Sequence, residues 1–370
     1  MIEAGLVDGL TGKKMPLNSK KKSTASSYWL TDKLYEIAQN CGVVIDSILK
    51  NVPAERLVQL YGPKPRTKFS RVRGKLLPPK RGPRIEFEPT SETVSWTQCL
   101  EEINSFYRTQ DIAIGLEQMG QLHWLAELNS SGHRKGIDFI QPETFSKDIY
   151  RVFNNGDLMK PQFTHGGRLF GGWWMNIPEE LRSAITIGSQ PTIELDYAAC
   201  HPRMLYHLRG LDCDCDPYRL KEIAEYEKLK GHKRDTYRPC IKWLFQILLN
   251  GRGRPDIVDV PKEVQIPPGF DIKQLVDLIK TTHASIADSF ETGIGLELMR
   301  LESDIALVIV TTAMRKGWAV LPIHDSFIAT TDHTDSLREL MNTSYFDRLG
   351  KFPSFKRDPY SEEKHGDKRP

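Results

Sequence analysis

The stretch that decides the fold is residues 192–210, which read TIELDYAACHPRMLYHLRG. Residues 192–195 predict a short strand, and Pro202 favours the first turn of a helix, where its missing N–H would be unpaired anyway. Gly210 is placed to close that helix. Asp196 therefore lies where a strand ends and a helix has not yet begun. Its carboxylate either caps the turn or leaves the core to hold a cation.

A second stretch, residues 318–329, reads WAVLPIHDSFIA. Apolar residues on both sides of its His-Asp-Ser predict a hairpin with a buried strand on each side and polar residues at the tip. An aspartate at such a tip, here Asp325, is unfavourable to bury unless it is paired or bound to metal. Two aspartates presented by neighbouring strands suit a pair of Mg²⁺ ions, which take oxygen ligands and share them with substrate phosphates.

A basic helix is predicted between these two stretches, at residues 235–249. Arg234, Arg238 and Lys242 recur every four residues and so lie along one face. Three like charges in a row repel one another, and a triphosphate would relieve that repulsion. A solvated charged face is the alternative. Arg252 and Arg254 come next and are placed to follow a template strand.

Together these segments resemble the palm and fingers motifs of family-A DNA polymerases and of the single-subunit phage and mitochondrial RNA polymerases. Asp196-Tyr197 followed by Arg203 is similar to the first palm motif of that superfamily. The run His324-Asp325-Ser326-Phe327 resembles the last palm motif, and residues 238–242 match the Arg-x-x-x-Lys pattern of the fingers helix. The resemblance covers residues 166–329, under half of the 370-residue chain.

The resemblance implies template-directed transfer of nucleotides from (d)NTP to a 3′-hydroxyl by two Mg²⁺ ions, with Mn²⁺ as an alternative. Asp196 and Asp325 would be the metal ligands, and Lys242 would donate a proton to pyrophosphate. The residues expected at the incoming nucleotide are Arg234, Arg238, Lys242, His201, Tyr197 and Asn250. Those expected at the template and primer are Arg168, His324, Arg203, Arg252, Arg254, Arg71, Arg73, Lys80 and Arg81.

Some positions depart from the family pattern. Asn250 stands where the family usually has tyrosine, and Ser326 replaces the glutamate that follows the catalytic aspartate in the DNA polymerases. His201 stands where those enzymes place the glutamate that excludes the ribose 2′-hydroxyl, which an imidazole would either block or hydrogen-bond. A DNA product and an RNA product therefore both remain open.

A glycine-rich passage at residues 165–174 loosely resembles the Arg-Gly-Arg-x-Tyr element ahead of the first palm motif in the RNA polymerases. Its glycines let the backbone approach a neighbouring strand closely, and Arg168 is expected to reach phosphate. Trp173 and Trp174 are expected to pack into the core. Residues 297–316 predict an amphipathic helix ahead of the hairpin, and we expect its Glu302 and Asp304, like the acidic loop at 212–216, to be solvated.

The N-terminal part matches no family motif. Residues 29–60 and 95–131 have helical apolar spacing. Between them, residues 62–84 carry nine basic residues, no acidic residue and five prolines. Such an extended basic strap suits a nucleic-acid backbone, and a solvated linker is the alternative.

Composition excludes several classes of protein. A hydrophobic content of 39% and a charged content of 27% are typical of a globular chain, and no run approaches the length of a membrane helix. Six scattered cysteines favour a reducing compartment without a disulfide framework. We expect a monomer without a membrane partner, in the cytoplasm or in the nucleoid of a bacterium, phage or plasmid host.

The sequence thus predicts an α+β fold with a polymerase right-hand palm, meaning a small antiparallel sheet with helices, next to a fingers helix. The expected divisions are a basic arm (1–25), a mainly helical thumb-like or clamp-like region with the strap (26–150), the first part of the palm (151–233), the fingers (234–290), the second part of the palm (291–355) and a polar tail (356–370). Two alternatives remain: a metal-dependent nuclease that uses the same aspartates, and a non-catalytic nucleic-acid-binding protein.

Overall fold

The computed structural model describes residues 54–63, 82–115, 146–154, 162–252, 260–261 and 264–356, together with the backbone of four short strands at 7–10, 27–30, 70–72 and 75–77. The strands are β1 (Val7–Leu10), β2 (Ser27–Leu30), β3 (Val58–Tyr61), β4 (Ser70–Val72), β5 (Lys75–Leu77), β6 (Arg84–Ile85), β7 (Ile112–Ile114), β8 (Tyr150–Phe153), β9 (Gly166–Phe170), β10 (Ile185–Ile187), β11 (Gln190–Asp196), β12 (Leu321–Ile323) and β13 (Ser326–Thr330). The α-helices are α1 (Ser91–Thr109), α2 (Glu179–Arg182), α3 (Cys200–His207), α4 (Lys221–Leu229), α5 (Arg238–Asn250), α6 (Ile272–Thr282), α7 (Gly295–Arg315) and α8 (Thr334–Leu349). The fold is therefore mixed α+β, as the sequence predicts.

The larger sheet is antiparallel, with the strand order β12-β13-β11-β10-β7. Its central strand, β11, pairs with β13 from Thr192 opposite Thr330 to Asp196 opposite Ser326. Leu195 and Phe327 lie opposite each other in this ladder, and both side chains are buried. This apolar pair fixes the register, because a slip by one residue would turn both side chains to the other face. The predicted strand at 192–195 and the predicted hairpin at 318–329 are both present.

The second sheet is mixed, with the order β6-β3-β8-β9. Strand β9 is the glycine-rich passage, and its Gly167 has a φ of +81°. A Cβ at Gly167 would lie 2.8 Å from the Phe153 ring and 2.8 Å from Ser303 Oγ, so only glycine lets β9 lie this close to α7. Trp173 and Trp174, just after β9, are buried as predicted.

Helix α7 connects the two sheets, because it contacts β9 and β12 as well as α1, α3 and α8. Its buried side chains include Leu298, Glu302, Ile305 and Ile309, which recur at helical spacing. This confirms the amphipathic helix predicted for this segment. Although α7 is 21 residues long, neither it nor any other helix in the described residues is long and apolar enough to cross a bilayer.

The described part of the region predicted to be mainly helical, 26–150, contains several strands as well as helix α1. Both ends of the predicted helix at 29–60 are strands, β2 and β3, and its residues 31–53 lie outside the described residues. Helix α1 confirms the first of the two helices predicted at 95–131, but strand β7 follows it. Strand β3 pairs in parallel with β8, a partner far away in sequence, which local apolar spacing does not reveal.

Candidate active site

The structure brings the two predicted metal ligands, Asp196 and Asp325, to one end of neighbouring strands. Asp196 is the last residue of β11, and Asp325 lies in the turn just before β13. The backbone N–H of Tyr197 donates to the Asp325 carbonyl at 3.2 Å, which holds the two segments together beyond the end of the ladder. The two carboxylates are close enough that the charge of Asp325 raises the pKa of Asp196.

Burial and neighbouring acidic groups disfavour the ionised forms of this pair. Burial and the nearby Asp325 raise the pKa of Asp196 from 3.8 to about 6. Burial and the charge of Glu302 also raise the pKa of Asp325. Oδ1 of Asp196 is buried and has no hydrogen-bond partner within the described residues. Asp196 is still largely ionised at pH 7, and the oxygens of ionised carboxylates are the ligands that Mg²⁺ prefers.

We expect Asp196→Asn to stabilise the folded protein at pH 8. The folded chain holds the Asp196 proton with a pKa of about 6 rather than 3.8, so stability is lost as the pH rises through this interval. Asparagine cannot ionise, so the variant does not lose stability as the pH rises through this interval. We expect a gain of about 2–3 kcal/mol at pH 8, since one pKa unit corresponds to about 1.4 kcal/mol and the raised pKa already includes the opposing charge of Lys356. Urea unfolding at pH 8 and pH 4 measures it, and an equal gain at both values would contradict the explanation.

The sequence did not indicate the third charged group at this site, Lys356. Its ammonium donates to Oδ2 of Asp196, and its backbone N–H donates to the Asp196 carbonyl at 2.9 Å. The predicted polar tail at 356–370 thus begins with a residue that touches the candidate site. Residues 357–370 lie outside the described residues.

Glu302 of α7 organises the other side of the site. Arg168 donates two hydrogen bonds to its carboxylate, at 2.8 and 2.7 Å, and His201 Nε2 lies 2.6 Å from Oε2. Burial alone would raise the pKa of Glu302, but His201 and Arg168 outweigh it and lower that pKa to about 2. The prediction that Glu302 is solvated is wrong, since only 3% of the residue is exposed.

This pairing changes the roles predicted for two residues. Arg168 was expected to reach phosphate, but its guanidinium is engaged with Glu302. His201, expected at the sugar, is 5% exposed and forms part of the same cluster. Asp304 was also expected to be solvated, but it binds Arg151 at 2.9 Å and contacts Arg300.

His324, predicted at the primer terminus, precedes Asp325 in the hairpin turn. It adopts a left-handed conformation with a φ of 58°, and its ring lies 5.7 Å from that of Phe170. Burial and the charge of Arg168 lower the pKa of His324 to about 4, so the imidazole is neutral near pH 7. Its Nδ1 is buried and has no hydrogen-bond partner within the described residues. A strained turn at such a position is typical of functional sites.

The basic helix α5 starts three residues later than predicted, at Arg238. Arg234 therefore lies on the preceding turn, not on the helix, and its side chain is 71% exposed. Arg238 donates to Asp216 at 2.6 Å and stacks 5.0 Å above the Tyr218 ring, so the acidic loop at 212–216 is not wholly solvated. Lys242, one turn further on, is exposed and has no ion-pair partner in the described part of the chain.

Two other predicted site residues have structural partners instead. The Tyr197 hydroxyl donates to the Met341 carbonyl at 2.7 Å, and the residue is buried. Arg203 is buried and donates to the carbonyls of Cys213 and Cys215, which ties α3 to the following loop. Both side chains are therefore engaged by partners within the protein.

The remaining predicted residues are peripheral or lie outside the described residues. Asn250 is exposed at the end of α5, where its amide donates to the Gln246 carbonyl at 2.8 Å. Arg252 is exposed and pairs through its backbone with Thr292. Arg71 lies in β4, of which the backbone alone is described. The other predicted contacts, which lie outside the described residues, are Arg73, Lys80, Arg81 and Arg254.

One missed residue had a readable signal. Glu302 follows Leu298 by four residues and precedes Ile305 by three, so it belongs to the apolar stripe of α7. A carboxylate on such a stripe predicts a buried, paired acid. Glu194 carries a weaker sequence signal, its position two residues before Asp196. In the structure it accepts a hydrogen bond from Ser326 and pairs with Arg182 at 3.2 Å.

Two further findings bear on the assignment of the site. Within the described residues, no group of three or more His, Cys, Asp or Glu side chains could hold a metal ion. The candidate site therefore rests on two carboxylates, Asp196 and Asp325. No protein-family model matches this chain, and a search of curated proteins finds no match.

Proposed function

We propose that the chain is a template-directed nucleic-acid polymerase that adds nucleotides from (d)NTP to a 3′-hydroxyl. The observation that carries the proposal is the meeting of Asp196 and Asp325 at the ends of β11 and β13, with raised pKa values and an unpartnered buried Oδ1. In such a reaction the 3′-oxygen forms a bond to the α-phosphorus as the bond to pyrophosphate breaks. Two Mg²⁺ ions held by the aspartates would supply charge neutralisation for both oxygens.

The chain's own residues have distinct roles in this proposal. Asp196 and Asp325 present oxygens on one side of the reacting phosphate. Arg238 would exchange its carboxylate partner, Asp216, for a triphosphate oxygen, and the exposed Lys242 would protonate the pyrophosphate. Both residues lie on α5, one turn apart, so one extended triphosphate can contact both.

The experiment that tests the function is extension of a labelled primer–template with Mg²⁺, run separately with dNTPs and NTPs, plus an unprimed reaction. Growth with one set of nucleotides identifies both the class of enzyme and the sugar, and an unprimed product identifies de novo initiation. Loss of primer without growth identifies a nuclease. Binding without growth or loss, under all conditions, identifies a non-catalytic binding protein.

We expect Lys242→Ala to lower the rate of nucleotide addition about a hundredfold or more, which is typical for loss of a proton donor. The matched control is Lys273→Ala, which removes another exposed lysine, from α6, and should leave the rate unchanged. Single-turnover extension measures both rates. A metal-dependent activity that is indifferent to Lys242→Ala would contradict the polymerase assignment and favour the nuclease.

A further inference from the structure

A short C-terminal segment, residues 354–356, is bound to the candidate site through its backbone, and we refer to it as the clasp. The Ala198 N–H donates to the Ser354 carbonyl at 2.7 Å, and the Lys356 N–H donates to the Asp196 carbonyl at 2.9 Å. Between these bonds Phe355 forms an antiparallel bridge with Tyr197. The clasp thus extends the backbone pairing beyond the end of β11 and lies alongside the residues that follow Asp196.

Side-chain packing holds the clasp in this register. The Phe355 ring lies 5.7 Å from the Tyr197 ring. The Arg338 guanidinium lies over the same Phe355 ring, 5.1 Å from its centroid. Tyr197 is itself fixed by its hydrogen bond to α8. Because the backbone and the aromatic contact are fixed, the docked clasp keeps the backbone of Lys356 next to Asp196.

The lysine ammonium occupies one carboxylate oxygen of Asp196, Oδ2, while the other oxygen is the buried Oδ1 without a partner. A divalent cation and an ammonium cannot both bind Oδ2. Two cations at such a short separation repel each other strongly where water is partly excluded. The Lys356 side chain is 56% exposed, so it can swing into solvent without undocking the clasp.

We propose that Lys356 is a resident cation of the metal site, which a divalent metal ion must displace from Asp196 before it binds. This inference rests on the proposed function, because it assumes that Asp196 is a metal ligand. Its consequence is that the protein without nucleotide binds metal weakly. A nucleotide that brings its own phosphates gives the displaced ammonium a new anionic partner, so metal and nucleotide bind together.

The test is direct titration of the full-length protein with Mn²⁺, followed by electron paramagnetic resonance of the unbound ion, in the absence of nucleotide. We expect Lys356→Gln to tighten Mn²⁺ binding about tenfold, since each tenfold change corresponds to about 1.4 kcal/mol and a partly buried charge contact is worth about that much. The matched control is Lys351→Gln. Lys351 also forms a lysine–aspartate ion pair, 2.7 Å from Asp212, but with neither of the two aspartates of the candidate site. The control should bind Mn²⁺ as the unmodified protein does.

Asp196→Asn separates the two proposals. If Asp196→Asn abolishes Mn²⁺ binding but Lys356→Gln leaves it unchanged or weakens it, the resident-cation inference is overturned while the metal site stands. If Asp196→Asn binds Mn²⁺ like the unmodified protein, Asp196 is not a ligand and both proposals fail. Circular dichroism of each variant establishes that it is folded before the titration is interpreted.

Discussion

Asp196→Asn and Asp325→Asn are each expected to lower the rate of nucleotide addition by at least about a thousandfold, since two-metal chemistry depends on the charge and position of the carboxylates. The structure supplies the reason for both effects. Each residue lies at the end of one of two paired strands, so neither can take over the position of the other. Asparagine keeps the size of the side chain and removes its charge, and single-turnover extension with saturating nucleotide measures the loss.

The control for these variants is Asp277→Asn, which removes an exposed carboxylate from α6 and should leave the rate unchanged. Binding of the primer–template should persist in all three variants, because phosphate contacts by basic residues dominate such affinity. Near-normal extension by either Asp196→Asn or Asp325→Asn would show that the polymerase assignment is wrong.

The largest expected effect on stability is that of Glu302→Ala, which should lower the free energy of unfolding by about 3–5 kcal/mol. Removing the carboxylate leaves the Arg168 guanidinium and the buried His201 without their shared partner. Urea unfolding at pH 7 measures the difference. The control is Glu297→Ala on the same helix, whose side chain is 60% exposed and whose loss should change stability by less than about 1 kcal/mol.

The pH dependence of this effect has a definite sign. The pKa of Glu302 is about 2 in the folded chain and 4.5 ordinarily, so its contribution is complete above pH 4.5 and is lost as the pH falls towards 2. The difference between the unmodified protein and Glu302→Ala should therefore shrink over that interval. A cost of Glu302→Ala below about 1 kcal/mol at pH 7 would mean that the cluster does not hold β9, α3 and α7 together.

Several secondary-structure elements could be predicted directly from the sequence. The strand at 192–195, the hairpin at 318–329 and the helix at 297–316 were predictable because each has strong local periodicity and ends at residues that suit its boundary. The position of Asp196 at a strand end and of Asp325 at a hairpin tip followed from the same patterns. What these patterns did not predict was whether a short apolar run, such as Val58–Tyr61, is strand or helix, since its partner strand β8 is remote.

The sequence by itself determined the secondary structure around the two aspartates and the order of the acidic and basic segments. Only the tertiary structure decided which charges meet. Glu302 is 134 residues from Arg168 and 101 from His201, and Lys356 is 160 residues from Asp196. The physical reason is that periodicity reports which face of an element is buried, whereas a charged side chain acquires its partner from the packing of separate elements. Arg238 shows the same limit, because its carboxylate partner Asp216 lies in a loop that carries no periodic signal.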